Sequence, residues 1–457
     1  MLESRLVARR AASERIRDFG EIVPGPTAQQ VVLEAGRCLL CDDAPCSRAC
    51  PVGLDIPGLM RRTKSKDFLS AARLLRQFCV LPGTCGRVCP VENLCVGACL
   101  SKALSSPIAI NAIQRFVADV AYDRLEPVVK AAPNGKKVAV IGSGPAGLGA
   151  AYDLALKGYE VVVFEQKPMP GGIAAYGIPP YRLPKDVLKR EIAQVEALGV
   201  TIKTQSPISA KTGVSGLFEE GFDAVFVAAG LWESTPMGIP GEDLNGVYRA
   251  LDFLSAINET LGFQVKDKGL PTLKGRVFVI GGGNVAMDCA SSAKRLGAEE
   301  VTVVYRRTEA EMPAWREEIE VAREEGVKFM FLTAPVRIIG DSDRNVTALE
   351  CKKYRLGDPD ESGRPRPIPI DGSEFVLKAD YVIMGVGQSP AADVAGIVSG
   401  LALSPDGLIP VDPDTGRTQM EGVFAGGDIV NGGRTVVEAL ASGRAAASAI
   451  DRYLSSR

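Results

Sequence analysis

One stretch constrains the fold more than any other, VAVIGSGPAGLGAAYDLALKGYEVVVFE at 138–165. Four apolar residues run into Gly142-Ser143-Gly144-Pro145-Ala146-Gly147. A helical stretch follows to Lys157, and a second strand ends at Glu165. Strand, glycine turn, helix and strand form the frame of a dinucleotide-binding unit. Gly142 permits the tight turn, Gly144 lets backbone approach a pyrophosphate, and Gly147 lets helix and strand pack closely. The helix N-terminus faces the phosphate charge. Glu165 stands where an acid accepts a ribose hydroxyl hydrogen bond. A bare glycine turn is a weak signal, and the bland alternative is an ordinary Gly-rich strand-to-helix turn.

A second copy strengthens the reading. RVFVIGGGNVAMDCASSAKRLGAEEVTVVYRR at 276–307 repeats the frame around Gly281-Gly282-Gly283-Asn284-Val285-Ala286, with Ala286 in the third glycine position, as the fingerprint permits. Its second strand ends differently. Where an acid would hold a free 2′-hydroxyl, this chain carries Arg306 and Arg307, which pair with a 2′-phosphate in a fork geometry. The alternative is a solvated rim. One acidic and one basic site point to FAD at the first and NADP(H) at the second.

The 457 residues suffice for about three domains, and a net charge of −2 points to neither nucleic acid nor a membrane surface. No apolar run is long enough to span a bilayer, and the charged N-terminus has no signal-peptide core, so a cytoplasmic protein is expected. Histidine is absent. His-based acid–base chemistry and His metal ligands are excluded, leaving cofactors, cysteines and carboxylates.

Nine of the eleven cysteines lie between Cys38 and Cys99. One group is Cys38, Cys41, Cys46 and Cys50, followed by Pro51. The other is Cys85, Cys89, Cys95 and Cys99, with Pro90 after Cys89. Each has a Cys-Pro step, as in bacterial ferredoxin runs. Soft thiolates suit iron–sulfur clusters or zinc. A zinc ribbon would usually show two clean CxxC pairs, and only one is present here; buried free thiols are the third reading. Ligands interleave between clusters in two-cluster ferredoxins.

The chain in order gives a polar helical lead-in to about residue 35, then helical periodicity over Ile56–Phe78. That stretch carries Arg61, Arg62, Lys64, Lys66, Arg73 and Arg76, a solvated face or a docking face for an acidic partner. A further amphipathic helix is expected over Ile108–Tyr122, and a linker over 124–137. Gly171 and Gly172 allow close approach to the flavin nucleotide. Lys185–Leu198 reads as a helix, Asp223–Gly230 as a buried strand, and the segment from Arg364 as a turn or hairpin edge. A strand over 381–386 leads to Gly387, assigned to the NADP site. Gly427 and Asp428 end another strand; the acid suits flavin hydroxyls, or is a turn cap. Thr435 opens a final helix to Leu454 whose N-terminus faces the flavin. The fold class is α/β, a helical iron–sulfur domain (1–130) followed by two nested Rossmann-like domains. FAD-binding segments at 131–247 and 379–457 enclose an NADPH-binding domain at 248–378.

On these motifs the sequence resembles the electron-input small subunit of NADPH-dependent glutamate synthase and the N-terminal half of dihydropyrimidine dehydrogenase. It also resembles the large subunit of NADH-dependent ferredoxin:NADP oxidoreductases, the sulfide dehydrogenase α family. The matching elements are RCLLC at 37–41, GRVCP at 86–90, YGIP at 176–179, YRLP at 181–184, GGGNVAMD at 281–288, YRR at 305–307, EEGVKF at 324–329, LGDPDESG at 356–363 and AGGD at 425–428. The resemblance implies two [4Fe–4S] clusters, one on Cys38, Cys41, Cys46 and Cys99. The other takes Cys50, Cys89 and Cys95 with a non-cysteine ligand, for which Gln114 matches, leaving Cys79 and Cys85 spare. A glutamine ligand would shift that cluster's potential. It implies an enzyme subunit passing electrons among NADPH, FAD, the clusters and a partner subunit, with electron bifurcation as one form. Alternatives are a stand-alone diaphorase or a disulfide reductase, which would need a redox CxxC beside the flavin. A third is a scaffold subunit that meets no nicotinamide.

Overall fold

Each glycine turn follows the central strand of its own five-stranded parallel sheet. The computed structural model describes residues 6–265, 269–360 and 363–457. Residues 1–5 of the lead-in, and Glu361 and Ser362 of the 356–363 motif, lie outside the described residues. The first sheet runs Val423–Ala425, Ala224–Val227, Lys137–Ile141, Glu160–Phe164, Thr201–Lys203. The second runs Val247–Arg249, Tyr381–Met384, Arg276–Ile280, Glu300–Val304, Lys328–Met330. All these pairs are parallel. Both faces of the central strands are covered, by helices in the first sheet and by helices on one side and antiparallel strands on the other in the second, so they read as unbroken apolar runs rather than alternating ones. In Lys137–Ile141 and in Glu160–Phe164 all four residues after the first are buried.

Strand pairing corrects one domain boundary. Tyr381–Met384, expected to open the second flavin segment, pairs residue for residue with Val277–Ile280 of the second sheet. A short buried strand is apolar in either sheet, so its sequence carries no address. The second sheet therefore extends past 378 to Met384. Its return crossing, Gln388–Ser389, pairs antiparallel with the outgoing one, Glu233–Ser234. An antiparallel sheet flanks the second domain, with Thr333–Gly340, Val346–Pro359 and Pro365–Pro369 in order and Phe375–Lys378 also paired to Val346–Pro359. The expected hairpin edge at Arg364 is the edge strand Pro365–Pro369, where prolines cost no ladder bond.

The N-terminal region departs further from expectation. The lead-in is mostly an extended strap, helical only at Ala12–Arg15 and Ala28–Gly36. The stretch 56–78 is two helices, Ile56–Lys64 and Phe68–Phe78. Lys66 adopts φ +62, and the Asp67 side chain accepts from Ser70 N to start the second helix. Three of the six basic residues there are engaged within the chain. Arg73 pairs with Glu126, Arg76 donates to Glu126 O and Arg62 to Gly58 O. Helix Ile110–Ala121 closes the domain. Cys79, Val80, Leu81, Cys85 and Val88 share a core with Leu148, Val187, Leu188 and Ile192 of the first nucleotide domain. The cysteine-rich domain is thus fused to that domain through apolar packing.

Candidate active site

The two glycine turns are built alike. Gly142 has φ +101, and a Cβ there would stand 2.4 Å from Ala228 O; Gly281 has φ +136, and a Cβ would stand 2.2 Å from Gly385 O. In both, only glycine fits the turn, and the neighbouring strand end crowds it from the same side. Backbone bonds repeat as well, Gly142 N to Phe164 O at 2.8 Å and Gly281 N to Val304 O at 3.0 Å.

At the first turn a cleft is lined by Gly142, Gly144, Pro145, Ala146, Glu165, Gly172, Gly427 and Asp428. Gly172 backs directly onto Gly144, where a Cβ would come within 2.7 Å of the Gly144 Cα. The cradle is therefore bare backbone, suited to a pyrophosphate. Glu165 is buried and accepts from Ser143 N at 3.1 Å, from Ser143 Oγ, and from Lys167 N at 2.7 Å. Gly171 N donates to Ser143 Oγ at 3.1 Å, joining the loop to the same network. An ionised carboxylate has about four acceptor sites, so capacity remains for a ribose hydroxyl. Gly147 lies one turn into the helix, close under Gly142 O. Burial raises the pKa of Asp428, while Arg434 N–H opposes the rise. Thr435 caps the helix Val436–Ser455 in a reciprocal box with Glu438.

The second turn places Gly281, Gly282, Gly283, Asn284 and Val285 along a larger cavity of about 1140 Å³, with Ala286 buried behind them. Strand register changes the reading of the basic pair. Phe164 faces Ile141 as Val304 faces Ile280, so Tyr305 occupies the position of Glu165. Its ring fills the space above Gly282, and its hydroxyl donates to Glu311 O at 2.8 Å. Arg306, one residue later, is exposed and lines the cavity. Arg307 is buried, donating to Asp360 Oδ2 at 2.6 Å and to Pro365 O at 2.8 Å, which pins the flanking sheet to the strand end. Gly387 lines the same cavity from the return crossing.

The cavity is bounded by both domains. Ile173, Arg434, Thr435 and Val436 come from the first, and Pro145, Ile173, Asp428 and Ala439 also line the first cleft, so the two spaces meet. Val88, adjacent to Cys89, forms part of the wall. Sequence reasoning missed Arg182 and Trp315. Arg182 reaches across to Asp288, and Trp315 is held by a bond from its backbone N to Asn284 Oδ1 at 2.8 Å. The YRLP and GGGNVAMD motifs contain Arg182 and Asp288, but nothing in one sequence pairs them.

Cys38, Cys46, Cys50, Cys95 and Cys99 gather against one core, Cys95 having Cys46 as well as Cys89 and Cys50 for neighbours. Cys38 lies beside Cys99 and Cys41, and Cys46 beside Cys99 and Cys38; burial chiefly, then those neighbours, pushes the Cys46 thiol up to about 11. Cys95 lies beside Cys89 and Cys50, and burial raises it as well. Such soft, partly buried donors suit clusters of iron and sulfide. Among the described residues no three His, Cys, Asp or Glu side chains close on a single ion position. Gln114 donates from Nε2 to Pro82 O at 2.8 Å. Cys79 and Cys85 are buried with their sulfurs 3.7 Å apart, a contact that spacing did not reveal. Neither lines either cavity, and Cys289 is buried against Ala250 O.

Comparison with known proteins follows this geometry. Residues 136–443 match the family described as pyridine nucleotide-disulphide oxidoreductase, and residues 15–125 match dihydropyrimidine dehydrogenase domain II, 4Fe-4S cluster. The chain is 41% identical to the NADP(+)-dependent formate dehydrogenase subunit beta of Moorella thermoacetica, over 97% of this chain and 68% of that one. It is 39% identical to the glutamate synthase [NADPH] small chain of Halomonas elongata, over 98% of this chain and 95% of that one. Among solved structures, Mycobacterium tuberculosis FprA in complex with NADPH shares the fold at TM-score 0.59 and 22% identity, over 70% of this chain and 85% of that one. The cysteine-rich and nucleotide-binding regions are thus each matched separately, and together in whole-length relatives.

Proposed function

We propose, from the premise that the chain belongs to the pyridine nucleotide-disulphide oxidoreductases and is an NADPH-dependent flavin and iron–sulfur oxidoreductase, that it is an electron-transfer subunit, moving electrons between NADPH, FAD, two [4Fe–4S] clusters and a redox partner protein. The observation that carries this reading is the cavity lined by Gly281, Gly282 and Gly283 of the second turn and by Pro145 of the first, with Val88 of the cysteine-rich domain in its wall. The chemistry that bound FAD would supply is hydride exchange with a nicotinamide and single-electron transfer.

The chain's own residues do the positioning. The bare backbone of Gly144 and Gly172 receives the flavin pyrophosphate, Glu165 its ribose, and Gly427 and Asp428 the hydroxyls beyond. Gly281, Gly282, Gly283, Asn284, Val285 and Ala286 hold the second nucleotide at a helix N-terminus. Arg306 meets the 2′-phosphate, with Arg307 holding the strand end and flanking sheet in place. Cys38, Cys41, Cys46 and Cys99 hold one cluster; Cys50, Cys89, Cys95 and Gln114 hold the other. No side-chain acid or base is required, in keeping with a chain without histidine.

A partner is supported by the surface around the first cysteine set. Leu33, Leu39, Leu100 and Leu104 are all exposed there, two of them adjacent to Cys38 and Cys99. Glutamate synthase, pyrimidine reduction and bifurcating transhydrogenation differ in that partner. Anaerobic affinity purification with mass spectrometry distinguishes them. An amidotransferase, a barrel enzyme or a small flavin–iron–sulfur protein identifies each in turn, and flavin-free, iron-free protein contradicts the reading altogether.

A further inference from the structure

The two nucleotide domains are joined by two crossings, paired as a ribbon of two residues on each side, Glu233–Ser234 with Gln388–Ser389. An isolated two-stranded ribbon is marginal and sets orientation weakly. Something else must hold the second turn against the first, and the strap at 6–22 runs over that junction.

Arg15 is 2% exposed; its Nε donates to Glu325 Oε1 at 2.6 Å and its Nη2 to Glu324 Oε2 at 2.6 Å. Glu325 also receives both Nη atoms of Arg295, at 2.7 and 2.9 Å. The Arg295 guanidinium lies 3.9 Å over the ring of Tyr181, a residue of the flavin domain. Tyr181 donates its hydroxyl to Asp288 O at 3.2 Å, and its carbonyl accepts Ile22 N at 3.0 Å. At the strap's far end Glu21 pairs with Arg87 and Arg115 of the cysteine-rich domain, at 2.8 and 2.9 Å. Three domains therefore meet at one buried ring and one buried guanidinium.

We propose that Arg15 and Tyr181 are positioning residues that lock the nicotinamide domain against the flavin domain in the orientation that merges their nucleotide sites. The lock rests on the function proposed above, since it matters for direct hydride transfer between the two nucleotides. Neither residue lines the cavity, so they act through domain orientation rather than through contact with a nucleotide.

The test uses full-length, flavin-loaded Arg15→Gln, Tyr181→Phe and Arg15→Lys proteins. Anaerobic stopped-flow follows flavin bleaching by NADPH, NADP+ titration gives affinity, and amide deuterium exchange reports on Ile22 and on residues 316–324. The expected result is bleaching slowed about tenfold to a hundredfold in the first two, with affinity changed less than about threefold, because small misplacements of reacting groups act mainly on rate. Exchange rises at the strap, and Arg15→Lys recovers part of the rate. Wild-type rates in variants whose strap has loosened overturn the lock, as does an affinity loss that matches the rate loss. Should Arg15→Gln fail to fold, Arg9→Ala releases the strap's outer end from Glu317 and Glu324, and an unchanged rate there overturns it equally. Failure of wild-type protein to bleach refutes the function instead; the exchange readout then still decides whether Tyr181→Phe frees the junction.

Discussion

The two glycine turns are nearly the same object with different ends. Both follow the central strand of a five-stranded parallel sheet, and both need glycine at a positive φ beneath a crowding carbonyl. At the strand end the first carries a buried acid tied to Ser143 and Lys167 backbone, and the second a tyrosine followed by an exposed arginine. On the proposed function, the shared frame serves a pyrophosphate, while the residues one and two places past the second strand choose the nucleotide.

Breaking the shared frame gives the largest effect. Gly142→Ala is expected to abolish flavin retention, and Gly281→Ala to leave flavin bound while weakening NADPH by a hundredfold or more. A non-glycine residue at such φ values costs on the order of 1–3 kcal/mol before the clash with Ala228 O or Gly385 O is counted. Flavin per chain and nucleotide titration check the two separately.

The strand ends sharpen the contrast. Arg306→Ala is expected to weaken NADPH by about 1.5–3 kcal/mol, the range for a hydrogen bond to a charged group, and to leave NADH unchanged. Affinities for both nucleotides measure it. Arg307→Ala should lower the melting temperature instead, since it leaves Asp360 and Pro365 O without their donor. Glu165→Gln should loosen flavin by about tenfold, because an amide replaces the charged acceptor of the Ser143 and Lys167 donors; flavin release on dilution reports it.

The smallest effect lies at the junction of the cysteine-rich and flavin domains. Buried Glu191 accepts from Gly83 N and Thr84 N, and burial raises it to about 7 from an ordinary 4.5. The folded chain then binds more protons than the unfolded one between those values, so stability falls as pH rises through that window. Glu191→Gln should lessen the fall, by at most about 3 kcal/mol. Lys185, pushed down to about 7 by burial, acts in the opposite sense and only above that pH. Denaturant melts at several pH values separate the two.

Local signals were legible where chemistry restricts residue type. The glycine turns, the thiol spacing and the proline-bearing edge strand all declare themselves in sequence. Long-range placement was not. Tyr381–Met384 is apolar enough for either sheet, and only pairing assigns it. The register that puts Tyr305, not Arg306, opposite Glu165 depends on where the strand begins its ladder. Arg15 reads as one more basic residue in a polar lead-in, because its partners Glu324 and Glu325 lie about three hundred positions away.

The most direct measurement is anaerobic bleaching of the bound flavin by NADPH, in wild-type protein and in Gly281→Ala. Bleaching in the wild type and none in a variant that keeps its flavin is the expected result. Equal bleaching in both, or none in either, would contradict the assignment of flavin to the first turn and NADPH to the second.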